Sequence, residues 1–256
     1  MYDTLARHLA IQSIVTRDTA QGQLRKYYRF RTDRWYGGIA TADVVGCGLL
    51  CKFCWVSESI LERPDSSGQF LAPAVAAQKL LRVTIGRRLV QMRLSGGEPT
   101  IGRSHLLSVL TEIEKQRRFR FILETNGILL GADPGYCTEL AVFRCLHVRV
   151  SFKGSCEDEF ENLTGANGTG FEHQLEALRN LRDAGVSCHP AVMSSFSTER
   201  DIRQLRDRIS RIDHKLSNDL EFEELIRYPR VELRLQKYHL APSVSHDPKN
   251  VPERLV

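Results

Sequence analysis

The sequence has no apolar run long enough to cross a bilayer, which excludes a chain that spans the membrane by helices. Its first residues, Met1-Tyr2-Asp3-Thr4-Leu5-Ala6-Arg7-His8, lack the basic start and apolar stretch of a secretory signal, so the expected location is the cytoplasm. No internal repeat or low-complexity segment stands out, and no recognised RNA-binding module is visible. Cysteine is modest in number, seven in all. Four of these, Cys137, Cys145, Cys156 and Cys188, show no C-x-x-C pairing and read as small buried hydrophobes. An odd count with three thiols in a metal-type triplet suits a reducing compartment better than a disulfide framework.

What is present is ordinary in bulk and distinctive in detail. With 256 residues, 42% hydrophobic and 26% charged, the chain is long enough for one large α/β domain with a sizeable core. Cys47, Cys51 and Cys54 lie in Gly46-Cys47-Gly48-Leu49-Leu50-Cys51-Lys52-Phe53-Cys54-Trp55, at C-x-x-x-C-x-x-C spacing behind an apolar strand-like stretch. Three thiolates can hold three irons of a [4Fe–4S] cube and leave the fourth open for chemistry. A zinc site would need a fourth Cys or His nearby to close its tetrahedron, and the next are His105 and Cys137.

Turn signals divide the rest into alternating strand-like and helix-like pieces, the pattern of a parallel α/β sheet. Strands are expected at 39–45, 89–94, 119–123, 146–152, 186–193 and 231–235. Helices are expected at 71–82, 104–115 with Ser104 as N-cap, 133–143, 171–184 closed by Gly185, and 198–212. In such sheets the loops at the strands' carboxyl ends carry the ligands. The cysteine loop, Ser95-Gly96-Gly97-Glu98-Pro99-Thr100, Glu124-Thr125-Asn126-Gly127, and Ser151 with Lys153 all fall at such ends.

The triplet, with Phe53 before its last cysteine, resembles the signature of the radical S-adenosylmethionine (SAM) enzymes, and Gly96-Gly97-Glu98 resembles that family's second motif. The resemblance implies a partial parallel (β/α)6 TIM-like barrel that cleaves SAM reductively to a 5′-deoxyadenosyl radical. It implies that Cys47, Cys51 and Cys54 hold the [4Fe–4S] cluster, that Phe53 packs beside the adenine, and that Gly96, Gly97 and Glu98 receive the SAM amine. It also implies an electron donor such as ferredoxin or flavodoxin. Asn126 and Thr125 offer groups to a ribose or carboxylate, or else form a plain Asn-Gly turn. Ser151 and Lys153 are further SAM contacts on this reading, Lys153 for the carboxylate, the alternative being a solvated lysine at a strand end.

From Glu124 to Ala184 the chain is similar to the glycyl-radical-enzyme activating enzymes, through Glu-Thr-Asn-Gly, Val-Ser-Phe-Lys and Asn162-Leu163-Thr164-Gly165. It departs from them in the fifth strand, where His189-Pro190-Ala191-Val192 replaces the usual arginine. A shorter resemblance, Cys54-Trp55 and Gly97-Glu98-Pro99-Thr100, is to the wyosine-forming tRNA-modifying radical SAM enzymes. Between Arg17 and Tyr36 six basic residues face two acidic ones, a local charge of +4 interleaved with Tyr27, Tyr28, Phe30, Trp35 and Tyr36. That segment suits a single-stranded RNA contact, or a strand or hairpin with one packed and one solvated face. The expected organisation is an N-terminal extension (1–36) packed on the barrel, the barrel itself (37–240) and a tail or cap (241–256). The expected substrate is a protein partner or tRNA, with no membrane. A non-catalytic iron–sulfur protein is the further alternative.

Overall fold

A computed structural model describes residues 1–255, and Val256, the last residue of the expected tail, lies outside them. The chain opens with α1 (Thr4–Val15), then β1 (Thr16–Thr19), β2 (Gly22–Asp33), β3 (Ile39–Val44), α2 (Glu58–Glu62) and β4 (Gln69–Leu71). Next come α3 (Pro73–Gly86), β5 (Gln91–Gly96), α4 (Arg103–Glu114), β6 (Arg120–Thr125), α5 (Ile128–Ala132), α6 (Pro134–Leu140) and β7 (Leu146–Phe152). The second half holds α7 (Glu157–Thr164), α8 (Thr169–Asp183), β8 (Cys188–Met193), α9 (Glu199–Ser210), α10 (His214–Asn218), β9 (Glu221–Glu223), β10 (Leu225–Ile226), α11 (Pro229–Tyr238) and β11 (Ser245–His246).

Six strands in the order β3-β5-β6-β7-β8-β9 pair in parallel, and β2 joins antiparallel to β3 and pairs antiparallel with β1 and β4 as well, those two on opposite sides of Arg25. No pairing closes β9 onto the far edge among the described residues, so the architecture is the expected partial barrel. Side chains alternate along each strand. Ala40, Ala42, Val44, Met92, Leu94, Phe121, Leu123, Val148, Val150, Phe152 and Val192 are buried and form one core with the helices outside the sheet. Many intervening residues, among them Thr41, Asp43, Arg93, Ser95, Glu124, Arg149 and Ser151, are polar and hydrogen-bond across the inner face.

Three local expectations are corrected. The helix expected to begin with Ser104 as cap begins instead at Arg103, with Gly102 as its N-cap at φ +90°. That left-handed turn suits glycine and starts the helix a residue earlier. Trp35 and Tyr36 lie beyond the end of β2, in a short 3-10 turn, because the strand stops at Asp33. The strand expected at 231–235 is the middle of α11, and the sixth strand is Glu221–Glu223. Val-Glu-Leu-Arg-Leu alternates like a strand, yet Val231, Arg234 and Leu235 are buried while Leu233 is 66% exposed. Buried positions at i, i+3 and i+4 make a helical face, and Pro229 in the first turn starts it.

This assignment separates two similar leucines. Leu235→Ala should lower the unfolding free energy by about 2–5 kcal/mol, and Leu233→Ala should stay within about 0.5 kcal/mol of the parent. Equal losses in chemical denaturation would put both leucines on one strand face instead.

Candidate functional site

The loops after β3, β5, β6 and β7 converge on a cavity of about 860 Å3, large enough for a sizeable ligand. Its lining includes Cys47, Cys51, Cys54, Phe53, Gly96, Gly97, Glu98, Asn126, Ser151 and Lys153, so every site residue expected from the sequence faces one space.

The cysteine loop is held from several sides. Lys52 N–H donates to the Leu163 carbonyl of α7 at 2.8 Å, and Leu50 N–H to the Tyr2 hydroxyl at 2.9 Å. Arg234 on α11 spans the loop with its guanidinium, donating to the carbonyls of Cys51 at 3.2 Å and Val56 at 3.1 Å. At the loop's start the Gly97 N–H donates to the Val44 carbonyl and the Glu98 N–H to the Gly46 carbonyl, each at 2.8 Å. A Cβ on Gly97 would stand 2.2 Å from the Gly46 oxygen, so glycine here lets two loops touch.

Glu98 is buried, and its carboxylate accepts from Thr100 N–H (3.0 Å), the Thr100 and Thr125 hydroxyls (2.6 and 2.7 Å) and Asn126 N–H (2.8 Å). Asn126 continues the chain of contacts. Its side-chain carbonyl accepts from Ile128 N–H, and its amide nitrogen lies 3.0 Å from His8 Nε2 and 3.6 Å from Cys47 Sγ. His8 Nδ1 donates to the Thr4 carbonyl at 2.7 Å, which leaves Nε2 as an acceptor and turns the other amide hydrogen toward sulfur. Burial holds His8 below its usual pKa and so in this neutral form. The loop must also make room, since a Cβ on Gly48 would sit 1.9 Å from His8 Nδ1.

All seven cysteines are free. Burial pushes the Cys51 thiol up to about 12, with Lys153 opposing it, and also raises Cys47 and Cys54. Neutral thiols in such surroundings lose their protons on taking up metal. Among the described residues no group of three His, Cys, Asp or Glu side chains could hold a single metal ion, unlike a closed zinc site. Three thiols on one clamped loop, with N–H groups of Leu49 (3.4 Å) and Asn126 directed at Cys47 Sγ, fit an iron–sulfur cluster.

Below the loops the inner face carries further charges, among them Arg93, Arg149, Glu221 and Glu223, that no sequence motif marks. Glu124 accepts from Arg93 (2.6 Å), Ser95 (2.8 Å) and Tyr36 (2.8 Å). Arg149 bonds Glu221 (2.7 Å) and Glu223 (3.0 Å), and Ser151 donates to Glu223 at 2.9 Å. Lys153 Nζ has the Ser151 hydroxyl as its bonding partner, at 2.5 Å. Arg29 and Arg31 both pair with buried Asp43 and both lie over the Trp55 ring at the rim. His189 in β8 turns away from the thiols, stacking on His147 and bonding Glu221 at 2.9 Å, beside a second cavity of about 690 Å3 at the strands' opposite ends. Period-two polarity in Thr41/Asp43, Arg93/Ser95 and Arg149/Ser151/Lys153 was the available signal for this network.

Burial would raise the Glu124 pKa, but Arg93 and Arg149 hold it at about 2. A depressed carboxyl stabilises the fold above its unfolded pKa, and that stabilisation drains away as pH falls through the folded value. The stability gap between the parent and Glu124→Gln should therefore narrow from about pH 4.5 down to about 2 in denaturant titrations, and a constant gap would contradict the ion pairing.

The profile of the radical SAM superfamily matches residues 41–209, well over half of the chain. Among curated proteins no relative matches by sequence. Similar solved structures include Streptococcus suis SuiB bound to its precursor peptide SuiA, at TM-score 0.54 and 14% identity over 80% of this chain and 48% of SuiB. TsrM from Kitasatospora setae, with cobalamin and a [4Fe–4S] cluster, matches at TM-score 0.53 and 15% identity over 92% of this chain and 55% of its own. TYW1 with a lysine-pyruvate adduct matches at TM-score 0.52 and 14% identity over 93% of this chain and 88% of its own. The chain thus spans about half the length of SuiB and TsrM, and at these identities the likeness is one of fold. By the profile match the chain belongs to the radical SAM superfamily, and a [4Fe–4S] cluster and SAM are its cofactors.

Proposed function

We propose that this enzyme holds its cluster on Cys47, Cys51 and Cys54, binds SAM in the adjoining cavity, and abstracts hydrogen from a polypeptide partner. The observation that carries the assignment is the meeting of three thiols and a little-bonded lysine ammonium in one cavity at the carboxyl ends of the parallel strands. When bound, the cluster and SAM supply an electron and a 5′-deoxyadenosyl radical. The chain's own residues position and shield. Lys153 supplies a cation for the SAM carboxylate, the more so because His189 is turned away. Phe53, tilted against Phe196 with ring centroids 5.5 Å apart, offers an apolar wall for the adenine. Glu98 acts mainly by fixing the Asn126 and Gly46 loops, because four protein donors already occupy its carboxylate.

A polypeptide substrate is supported by the activase-like stretch from Glu124 to Ala184 and by peptide-bound neighbours of the same fold, SuiB with SuiA and anSMEcpe with the Cp18Cys peptide. The +4 segment is a weaker guide to RNA, since Arg25 and Lys26 are buried and spend their charges on backbone carbonyls such as Ile101 and Pro64. One observation favours an RNA substrate as a second reading: Trp55 is 39% exposed at the cavity rim with two guanidiniums against its ring. Rings and guanidiniums together bind bases and phosphates.

Reconstituted protein with dithionite should release 5′-deoxyadenosine from SAM, and the Cys47/Cys51/Cys54→Ala protein should release none. Loss of one charge-assisted contact, worth about 1.5–3 kcal/mol, should weaken SAM binding by Lys153→Met about 10- to 150-fold with cluster content unchanged. Deuterium from a deuterated protein fraction should enter 5′-deoxyadenosine. Transfer from deuterated tRNA alone would replace the polypeptide reading with the RNA one.

A further inference from the structure

Two buried polar side-chain atoms lack a hydrogen-bond partner among the described residues, Arg7 Nε and Tyr28 Oη. An unpaired buried hydroxyl is costly, so its position calls for a physical reason. Tyr28 is the extra residue of a β-bulge: Tyr27 pairs with Val44 and Arg29 with the adjacent Asp43, leaving Tyr28 outside the ladder. Bulges re-aim side chains and recur beside active sites.

The bulge sends the Tyr28 ring against Gly96, and Gly96 lines the cavity. A Cβ on Gly96, which stands at φ +90°, would meet the Tyr28 hydroxyl at 3.0 Å and ring carbon Cε1 at 3.1 Å. Tyr28 also packs with Cys47 and Cys54 against the patch formed by Ile11, Val15, Val56 and Ile60. Asp43, an obvious alternative acceptor, is already claimed by Arg29 and Arg31.

We propose that the Tyr28 hydroxyl donates a hydrogen bond to a sulfur of the bound cluster and so raises the cluster's reduction potential. Hydrogen bonds to cluster sulfurs are among the groups that set these potentials, and the donor stabilises the more negative reduced state more than the oxidised one. Tyr28 is thus a positioning and tuning residue for the electron transfer that initiates SAM cleavage. This rests on the assignment of the cluster to Cys47, Cys51 and Cys54.

The test is an anaerobic redox titration of holoenzyme without SAM, followed by EPR of the reduced cluster. Tyr28→Phe should shift the midpoint to more negative potential, while the metal-free variant should be at least as stable as metal-free parent, having shed an unpaired hydroxyl. Replacement of Tyr28 by 3,5-difluorotyrosine, a stronger donor, should shift the midpoint the other way and carries the test if the Phe variant loads poorly. Unchanged midpoints with full cluster loading would overturn the inference, as would a variant that alters only SAM affinity, which would make SAM the hydroxyl's partner. If the parent itself loads no cluster, the underlying assignment falls, and the inference with it.

Discussion

The buried carboxylate of Glu98 joins the parts on which the site depends. Its side chain gathers Thr100 from its own loop and Thr125 and Asn126 from the loop after β6. Its backbone N–H holds Gly46 at the start of the cysteine loop, and its carbonyl accepts from Arg25 of β2 at 3.3 Å. An acceptor that serves four donors in a dry setting cannot be removed without stranding them, at roughly 1–3 kcal/mol for each group left unpaired. From Asn126 the same chain of contacts runs to His8 on the first helix and to the Cys47 sulfur. The geometry of the proposed cluster loop is therefore set by residues far apart in the chain.

The second constraint is electrostatic. Parallel sheets covered on both faces are apolar on both. Here the helices cover the outer face, and the inner face is a lattice of paired charges: Arg93 with Asp33 and Glu124, Arg149 with Glu221 and Glu223, Arg29 and Arg31 with Asp43. Buried charges persist when each has a partner in good geometry, and removing one partner strands the other at a cost. The result is a rigid polar floor under an open mouth. Fixed dipoles and charges of this kind need little rearrangement when a charged ligand arrives.

Much of this was legible in the residues. The cysteine triplet and Gly96-Gly97-Glu98 are local patterns whose spacing carries their meaning, and strands such as Leu146–Phe152 stand out through β-branched residues and flanking turns. What could not be read were long-range partnerships. His8 meets Asn126 across 118 positions and Arg234 meets Cys51 across 183, with no local signature at either end. The segment 231–235 misled because alternation over five residues fits a strand as well as about one and a half turns of helix, and only the burial of Arg234 beside Leu235 decides. Glu221–Glu223 is too short, and too acidic, to announce a strand without its neighbour β8.

On the proposed assignment one loop, and no other cysteine, holds the cluster. Iron and sulfide analysis with Mössbauer spectroscopy on two reconstituted variants tests it most directly: one with Cys137, Cys145, Cys156 and Cys188 all replaced by Ala, the other with Cys47, Cys51 and Cys54 replaced. The account requires a full [4Fe–4S] cluster in the first and none in the second. Cluster retained in the second, or lost from a folded first, would contradict it.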